Sequence, residues 1–300
     1  MAELSRFHRV HKFSNGATLI YYKHNLNKTT QFRVGFIGGA RMDVIPGTAH
    51  FLEHMLLKRS PDFDETFINS VAKQSDVNTN GFTTSDMVML SADTVDSNLN
   101  MTCEIYSNLL FNTKFEQRDI DLERGAIDEE INYYKDGGSS GGSAISSVLS
   151  SIRQPGLSVF KILGKHKDIK QITEKTLQDF IDRNFVSENM VISVVSDKEF
   201  DEIKDMFEKY FVSKAKSDPT KRVLYTKSKY YEPSNYVLKQ KDDTRKTVEL
   251  FVSFVQRKSE RETNLYAYVE DYILNGFAGR LLEKLRIEKD TSNYSCLIKT

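Results

Sequence analysis

The order of elements along the sequence agrees with an α+β fold, and two observations carry that agreement. Short segments rich in aromatic and β-branched residues come in pairs, and pairs of segments with apolar residues at helical spacing follow them. The order strand, strand, helix, helix then starts again later in the chain, which points to two related halves.

The elements follow in order. Asn15-Gly16 is a turn signal, and Ala17 to Tyr22 (ATLIYY) after it reads as a strand. Gln31 to Phe36 (QFRVGF) is a second strand, ended by Gly38-Gly39. Ala49 to Leu57 has a helical pattern, and Thr48 offers a hydroxyl that can accept from an unpaired N–H at the helix start. A helix is expected over Asp64 to Lys73, a strand over Met87 to Ala92, and helices around Asp96 to Asn108 and Phe115 to Tyr134. Gly137 to Ser143 (GGSSGGS) is a flexible interruption. Helices are expected at Ala144 to Ile152, Glu174 to Asn184 and Phe200 to Phe211, with a strand at Met190 to Val195. Ser213 to Thr220 is polar and contains a proline, the mark of a linker. Strands at Tyr236 to Lys239 and Val248 to Val255 follow, then helices at Thr263 to Leu274 and Ala278 to Glu288.

Composition narrows the function classes. Among 300 residues, acids and bases balance at 42 each, so charge gives no reason to propose nucleic acid or an anionic membrane as a partner. Hydrophobic residues are 39% and charged residues 28%, ordinary for a soluble globular protein. The two cysteines, Cys103 and Cys296, lie far apart and outside any CxxC pattern, so they read as reduced, buried thiols. The opening MAELSRFHRVHKFSNG lacks the apolar core of a signal peptide, and no segment approaches the ~20 apolar residues of a membrane span. The expectation is a soluble cytoplasmic protein.

The segment that carries chemistry is His50 to His54. On a helix, residues three and four apart share a face, so both imidazoles can reach one metal ion and Glu53 lies beside them. Neutral imidazoles suit zinc, and a catalytic zinc usually takes three protein ligands and a water. Zinc lowers the pKa of that water towards ~7, and the Glu53 carboxylate can take its proton and later pass it to a leaving amine. Residue types and spacing match the inverted zincin pattern, H-x-x-E-H. The plain alternative is two surface histidines on a polar helix. It fits poorly, because Phe51, Leu52, Met55, Leu56 and Leu57 make the segment apolar around most of its circumference.

A third ligand must come from elsewhere. Glu123 and Glu130 lie two turns apart on one predicted helix and share a face, while Glu129 is rotated away towards solvent. On spacing alone, Glu123, Glu129 and Glu130 all stay open, as does the reading of each as a solvated charge.

Residues 8 to 212 resemble the catalytic half of the pitrilysin/insulinase family of zinc peptidases, which includes bacterial processing peptidases and the mitochondrial processing peptidase. The resemblance rests on Asn15-Gly16, Gly38-Gly39-Ala40-Arg41-Met42-Asp43 and Gly47-Thr48-Ala49-His50-Phe51-Leu52-Glu53-His54-Met55. It continues through Asn80-Gly81-Phe82-Thr83, Glu123-Arg124, Glu129-Glu130-Ile131, Ile162-Leu163-Gly164 and Val191 to Val195, in matching order and spacing. It implies Glu130 as the third ligand, one Zn2+ per chain, and Glu123 as a supporting glutamate that orients ligands or water. It also implies that Asn80, Phe82 and Thr83 lie near the substrate beside an edge strand, expected at Met87 to Ala92, to which a peptide adds by main-chain hydrogen bonds. By itself Asn80 reads as a turn residue. Two departures stand out: Gly81 where the family usually has alanine, and Leu57-Lys58-Arg59-Ser60 where it often has Phe-Lys-Gly-Thr.

Residues 236 to 300 resemble the start of the family's second, non-catalytic half through Ile273-Leu274-Asn275-Gly276, Arg280-Leu281 and Leu285-Arg286. Its counterpart of His50 to His54 would be Tyr268 to Tyr272, a copy without the metal site. The resemblance implies substrate contacts from Arg286 and Tyr294, through guanidinium donors and an oxyanion-binding hydroxyl, although their spacing is one residue wider than usual. A surface arginine and a strand tyrosine are the equal alternative. The implied layout is a catalytic half over 1–212, a linker over 213–235 and a partial second half over 236–300, each half a largely antiparallel sheet with helices on one face. The short second half is expected of a naturally short form, of a fragment, or of a chain whose chamber a second copy or a different chain completes.

The leading functional expectation is a zinc endopeptidase that cleaves short or unfolded peptides or precursor proteins. The alternative is a non-catalytic family member serving as a partner subunit or structural component, and a third reading is a metal-free peptide-binding module.

Overall fold

Alternation along the central strands sets the layers. In the strand Thr29–Ile37, Phe32, Val34 and Phe36 are buried while Gln31 and Arg33 face solvent. Repeated across neighbouring strands, this leaves one face of the sheet apolar, and the helices cover it. The structure, a computed structural model, describes residues 8–74, 77–135 and 162–223. The chain divides into two units, 1–231 and 232–300, and the described residues all lie in the first.

Six strands form one sheet: β1 (His8–Lys12), β2 (Thr18–Lys23), β3 (Thr29–Ile37), β4 (Asn78–Thr83), β5 (Met87–Val95) and β6 (Met190–Ser196), in the order β1-β2-β6-β3-β5-β4. Only the β2–β6 pair is parallel, so the sheet is largely antiparallel, as expected. Seven helices are described: α1 (Thr48–Leu56), α2 (Glu65–Gln74), α3 (Leu99–Phe111), α4 (Gln117–Lys135), α5 (His166–Ile169), α6 (Glu174–Asn184) and α7 (Phe200–Phe207). Phe51, Leu52 and Met55 of α1 are fully buried in the same core as Leu19, Phe32, Leu90, Ile192, Phe180 and Phe207. Each such side chain contributes roughly 1.5–3 kcal/mol by leaving water, so α1 is anchored independently of its polar residues.

Three expectations are corrected. Met87 to Ala92 is not the edge strand: β5 lies inside the sheet, and β4 is the edge. The segment Asn78–Thr83 (NTNGFT) has the composition of a turn and becomes a strand through its pairing with β5. Thr48 does not cap α1. It is the first helical residue, and its hydroxyl donates to the Ile45 carbonyl (2.6 Å), while the Asp43 carboxylate accepts from the N–H groups of Gly47 and Ala49 (2.9 Å each). The expected helix at Phe200 to Phe211 widens into a π-turn over Glu208–Val212, which buries Tyr210, Phe211 and Val212 together.

The entry to α1 also depends on two glycines. Gly47 (φ 92°) and Gly164 (φ 74°) both adopt left-handed backbone, and a Cβ on either would meet main chain of the other's segment, at the Leu163 and Pro46 carbonyl oxygens. The packing of 163–164 on 46–47 thus requires both.

The expected linker is described as far as Val223, and that part is held to the unit. Ala215 is buried, the Lys216 carbonyl accepts from Ser187, and Asn189 bonds the backbone of Lys221 and Val223. Cys103 is a buried free thiol whose pKa burial pushes up. Among the described residues no helix is long and apolar enough to cross a membrane. The Gly/Ser run, the helix expected at 144–152, Cys296 and every element expected beyond 223 lie outside the described residues.

Candidate metal centre

Two helices build the centre. α1 is short, apolar and pinned to the sheet, and it presents His50, Glu53 and His54 along its remaining side. α4 is long and polar outside, with Ile120, Ile127 and Ile131 buried, and it sets Glu123 and Glu130 on the side facing α1. Glu129, as its rotation implied, is exposed.

One ligand atom from each of His50, His54 and Glu130 lies within 4.8 Å of the others. Oε2 of Glu130 is 3.5 Å from Nε2 of His50 and 3.8 Å from Nε2 of His54. Bonds of 2.0–2.1 Å in a tetrahedral site put neighbouring ligand atoms about 3.3 Å apart, so the three residues fit a zinc ion with small adjustments. The donor set, two imidazoles and a carboxylate, is also zinc's.

Protonation fits as well. Burial, then the neighbouring His54, push the His50 pKa down to about 3, which leaves a neutral imidazole at neutral pH. For His54, burial works downward, but the hydrogen bond to Glu123 and the charges of Glu53, Glu123 and Glu130 prevail and raise it. Burial raises both Glu53 and Glu130 above the ordinary carboxylate range. A divalent cation at the cluster would reverse the balance for His54 and Glu130.

Nδ1 of His54 meets Oε2 of Glu123 at 2.9 Å, which leaves Nε2 towards Glu130. This is the carboxylate–histidine pairing that orients metal ligands. Oε1 of the same Glu123 takes Nζ of Lys58 at 2.7 Å. Burial acts to raise Glu123, yet His54 and Lys58 outweigh it and hold the carboxyl below its ordinary value. His50 has no such support among the described residues: its Nδ1 is buried, and none of them gives it a hydrogen-bond partner.

Glu53 lies between α1 and the edge strand. Its Oε2 is 3.4 Å from the Thr83 hydroxyl, a long contact, and its Oε1 would lie 2.6 Å from a Cβ built on Gly81. Among the other residues singled out, Phe82 is half-buried opposite Met89, and Asn80, exposed on β4, accepts from the Gly81 N–H (2.9 Å) through its side chain. Arg286 and Tyr294 lie outside the described residues. Two residues were unread in the sequence: Asp43, which holds the start of α1, and Lys58. The signal for Lys58 was its place four residues after His54, one helical turn on.

Comparisons with known proteins give the chain's family and relatives. Residues 19–139 match the model of the insulinase peptidase family M16, and residues 171–296 match the model of that family's inactive domain. The chain is 28% identical over 218 residues to a probable mitochondrial-processing peptidase subunit beta of Arabidopsis thaliana, covering 71% of this chain and 40% of that one. It is 24% identical over 202 residues to the uncharacterized zinc protease YmxG of Bacillus subtilis, covering 66% and 48%. It thus spans less than half the length of these curated relatives. Its fold resembles a solved peptidase M16 inactive domain from Pseudomonas fluorescens, with TM-score 0.74 at 17% identity, over 94% of this chain and 68% of that one.

Proposed function

The chain belongs to the insulinase family of peptidases, and from that premise we propose that it is a zinc-dependent endopeptidase acting on short or unfolded peptides or precursor proteins. The observation that carries the reading is the approach of His50, His54 and Glu130 to within 4.8 Å, beside Glu53 and β4, the edge strand among the described residues.

In this reading the two histidines and Glu130 would hold one zinc ion, which would supply Lewis-acid polarisation of a peptide carbonyl and of a water. Glu53 would take a proton from the attacking water as the water oxygen bonds to the carbonyl carbon. The carbon–nitrogen bond then breaks, and Glu53 returns the proton to the leaving amine. A carboxyl raised by burial suits both transfers, because it binds the proton more firmly than an exposed glutamate and still releases it. Glu123 keeps the His54 ring in the tautomer that leaves Nε2 unprotonated. β4 receives the peptide as an added strand, with Asn80, Phe82 and Thr83 alongside, so main-chain bonds dominate and sequence tolerance is broad. Arg286 and Tyr294 belong to the proposal as donors to the substrate. So do a cytoplasmic location, a catalytic half over 1–212 with a partial second half over 236–300, and a second chain that completes the chamber.

A second reading, a non-catalytic partner subunit, draws on the match of residues 171–296 to the inactive-domain model. One experiment separates the two. The zinc-loaded protein and its Glu53→Gln variant are incubated with an unstructured peptide of about 20 residues, and the products are read by mass spectrometry. The expected result is cleavage by the wild type, reduced by roughly 10²–10⁴-fold in the variant. Equal cleavage by both removes Glu53 from its role. Cleavage by neither, from protein that holds zinc, favours the partner subunit.

A further inference from the structure

The Glu123 carboxylate is gripped from both sides. One oxygen meets His54 Nδ1 (2.9 Å) and the other meets Lys58 Nζ (2.7 Å). Lys58 sits in the turn just after α1, where its N–H bonds the Met55 carbonyl, and its ammonium also reaches Glu65 at the start of α2 (2.7 Å). A chain of charges therefore runs Glu65, Lys58, Glu123, His54, and ends at the ring nitrogen that faces the cluster.

We infer that Lys58 is a positioning residue for the metal centre: it fixes the rotamer of Glu123, and through Glu123 the orientation of the His54 ring. The inference rests on the proposed zinc site. The physical reason lies in what Glu123 does without Lys58. A glutamate on α4 has three soft torsions, and its second oxygen would turn to water. The carboxylate could then leave His54, whose ring would be free to flip about its last torsion and turn Nε2 away from Glu130. With Lys58 in place, both oxygens are committed, each to a different partner, and the planar group has one orientation. The ammonium also offsets one of the negative charges that Glu53, Glu123 and Glu130 bring to a small, partly buried volume.

Holding the turn to α4 does not require Lys58. Its neighbour Arg59 already ties the same turn to the start of α4, through Asp119 (3.0 Å) and Glu116 (3.2 Å). The neighbouring pair therefore separates a positioning role from a stapling one: Arg59 staples the same two elements without touching Glu123.

The test compares the wild type with Lys58→Met, Lys58→Arg and Arg59→Met, all in the 300-residue chain. Zinc affinity is measured by competition with a chromophoric chelator, and the visible absorption of the Co2+-substituted protein reports ligand geometry. Thermal unfolding of the metal-free proteins checks that each variant folds. The expected result is a loss of zinc affinity on the order of 10-fold in Lys58→Met, with an altered Co2+ spectrum, since removing outer partners of metal ligands typically costs 10–100-fold. Lys58→Arg should recover most of it, and Arg59→Met should stay within about twofold of the wild type. Equal affinity and spectrum in Lys58→Met and wild type overturn the inference while leaving the zinc site intact, as does an equal loss in Arg59→Met. A wild type that holds no zinc overturns the site itself, and the role of Lys58 with it.

Discussion

Nδ1 of His54 and Oε2 of Glu123 lie 2.9 Å apart across 69 residues of sequence, and this contact joins the two helices that build the centre. In the proposed site it gives Glu123 the part of holding a ligand rather than the metal. Glu123→Gln should therefore keep the zinc site but weaken it by about 10-fold, because an amide oxygen still accepts from Nδ1 without the charge; Glu123→Ala should approach 100-fold. Equilibrium dialysis against a zinc buffer measures both. Loss of all binding in Glu123→Gln would mean that Glu123 is itself a ligand.

Zinc and protons should compete at His54 and not at His50. In the metal-free protein His54 titrates above 6.5 and His50 only at about 3. Zinc binds neutral imidazole, so its affinity falls as pH drops through the raised pKa of His54, with one proton displaced there. His50 adds a second proton only as pH approaches about 3, and Glu130, raised by burial, holds a proton more readily than an exposed glutamate. Glu123→Gln should move the window to lower pH, since Glu123 holds His54 up. Metal-free stability follows the same shifts with opposite signs. The His54 contribution is fully present below 6.5 and lost as pH rises through its folded value, whereas the His50 contribution is present above 6.5 and lost as pH falls towards about 3. Calorimetry in buffers of different ionisation enthalpy counts the protons released on zinc binding.

Asp43 should support both helix stability and the metal. Its two oxygens accept from the N–H groups of Gly47 and Ala49 at 2.9 Å, directly before His50. Asp43→Ala should cost about 1–2 kcal/mol, the usual worth of a helix-start acceptor, read from urea unfolding of the metal-free protein. Because α1 carries two of the three proposed ligands, zinc affinity should fall as well. Asp43→Asn, which keeps one acceptor oxygen, should lose less on both measures.

What could be read from the sequence follows the range of the physics involved. The grouping of His50, Glu53 and His54 is local helix geometry, and the apolar residues around them signalled burial, so this part was legible. The shared face of Glu123 and Glu130 was legible for the same reason. Which of the two faces the Nε2 atoms of both histidines and which meets His54 Nδ1 depends on how α4 crosses α1, a tertiary matter on which the sequence offered only the family resemblance. β4 was hidden because NTNGFT carries turn residues and is a strand only by virtue of β5 beside it. Asp43 was hidden because Thr48 stands directly before the helical pattern, at the expected cap position, yet the chain places the Asp43 carboxylate across the Gly47 turn. Lys58 stood in view, four residues past His54, but its partner lies 65 residues on at Glu123.

Gly81 offers a probe of the proposed base that leaves the metal ligands untouched. The backbone at Gly81 is ordinary strand, so no left-handed conformation demands glycine there. What occupies the space of a side chain is Glu53, whose Oε1, Cγ and Cδ would lie 2.6, 3.0 and 3.1 Å from an added Cβ. The carboxylate is the free end of a flexible side chain, so Gly81→Ala should move Glu53 rather than the strand. The Thr83 contact, at 3.4 Å, is too long to hold it back. Since strand glycine is unfavourable by roughly 0.5–1 kcal/mol against alanine, the variant should unfold at or slightly above the wild-type temperature. Hydrolysis should be kept or modestly raised, because Glu53 is displaced from β4 while the proposed ligands stay, and alanine is the residue the family usually carries here. Gly81→Val adds two branches that a shifted Glu53 cannot clear, and should lower kcat by about 10-fold or more with zinc affinity unchanged. If Gly81→Ala instead lost as much kcat as Gly81→Val at full zinc occupancy, the position of Glu53 against β4 would be its working one, and the glycine a requirement of this chain's chemistry.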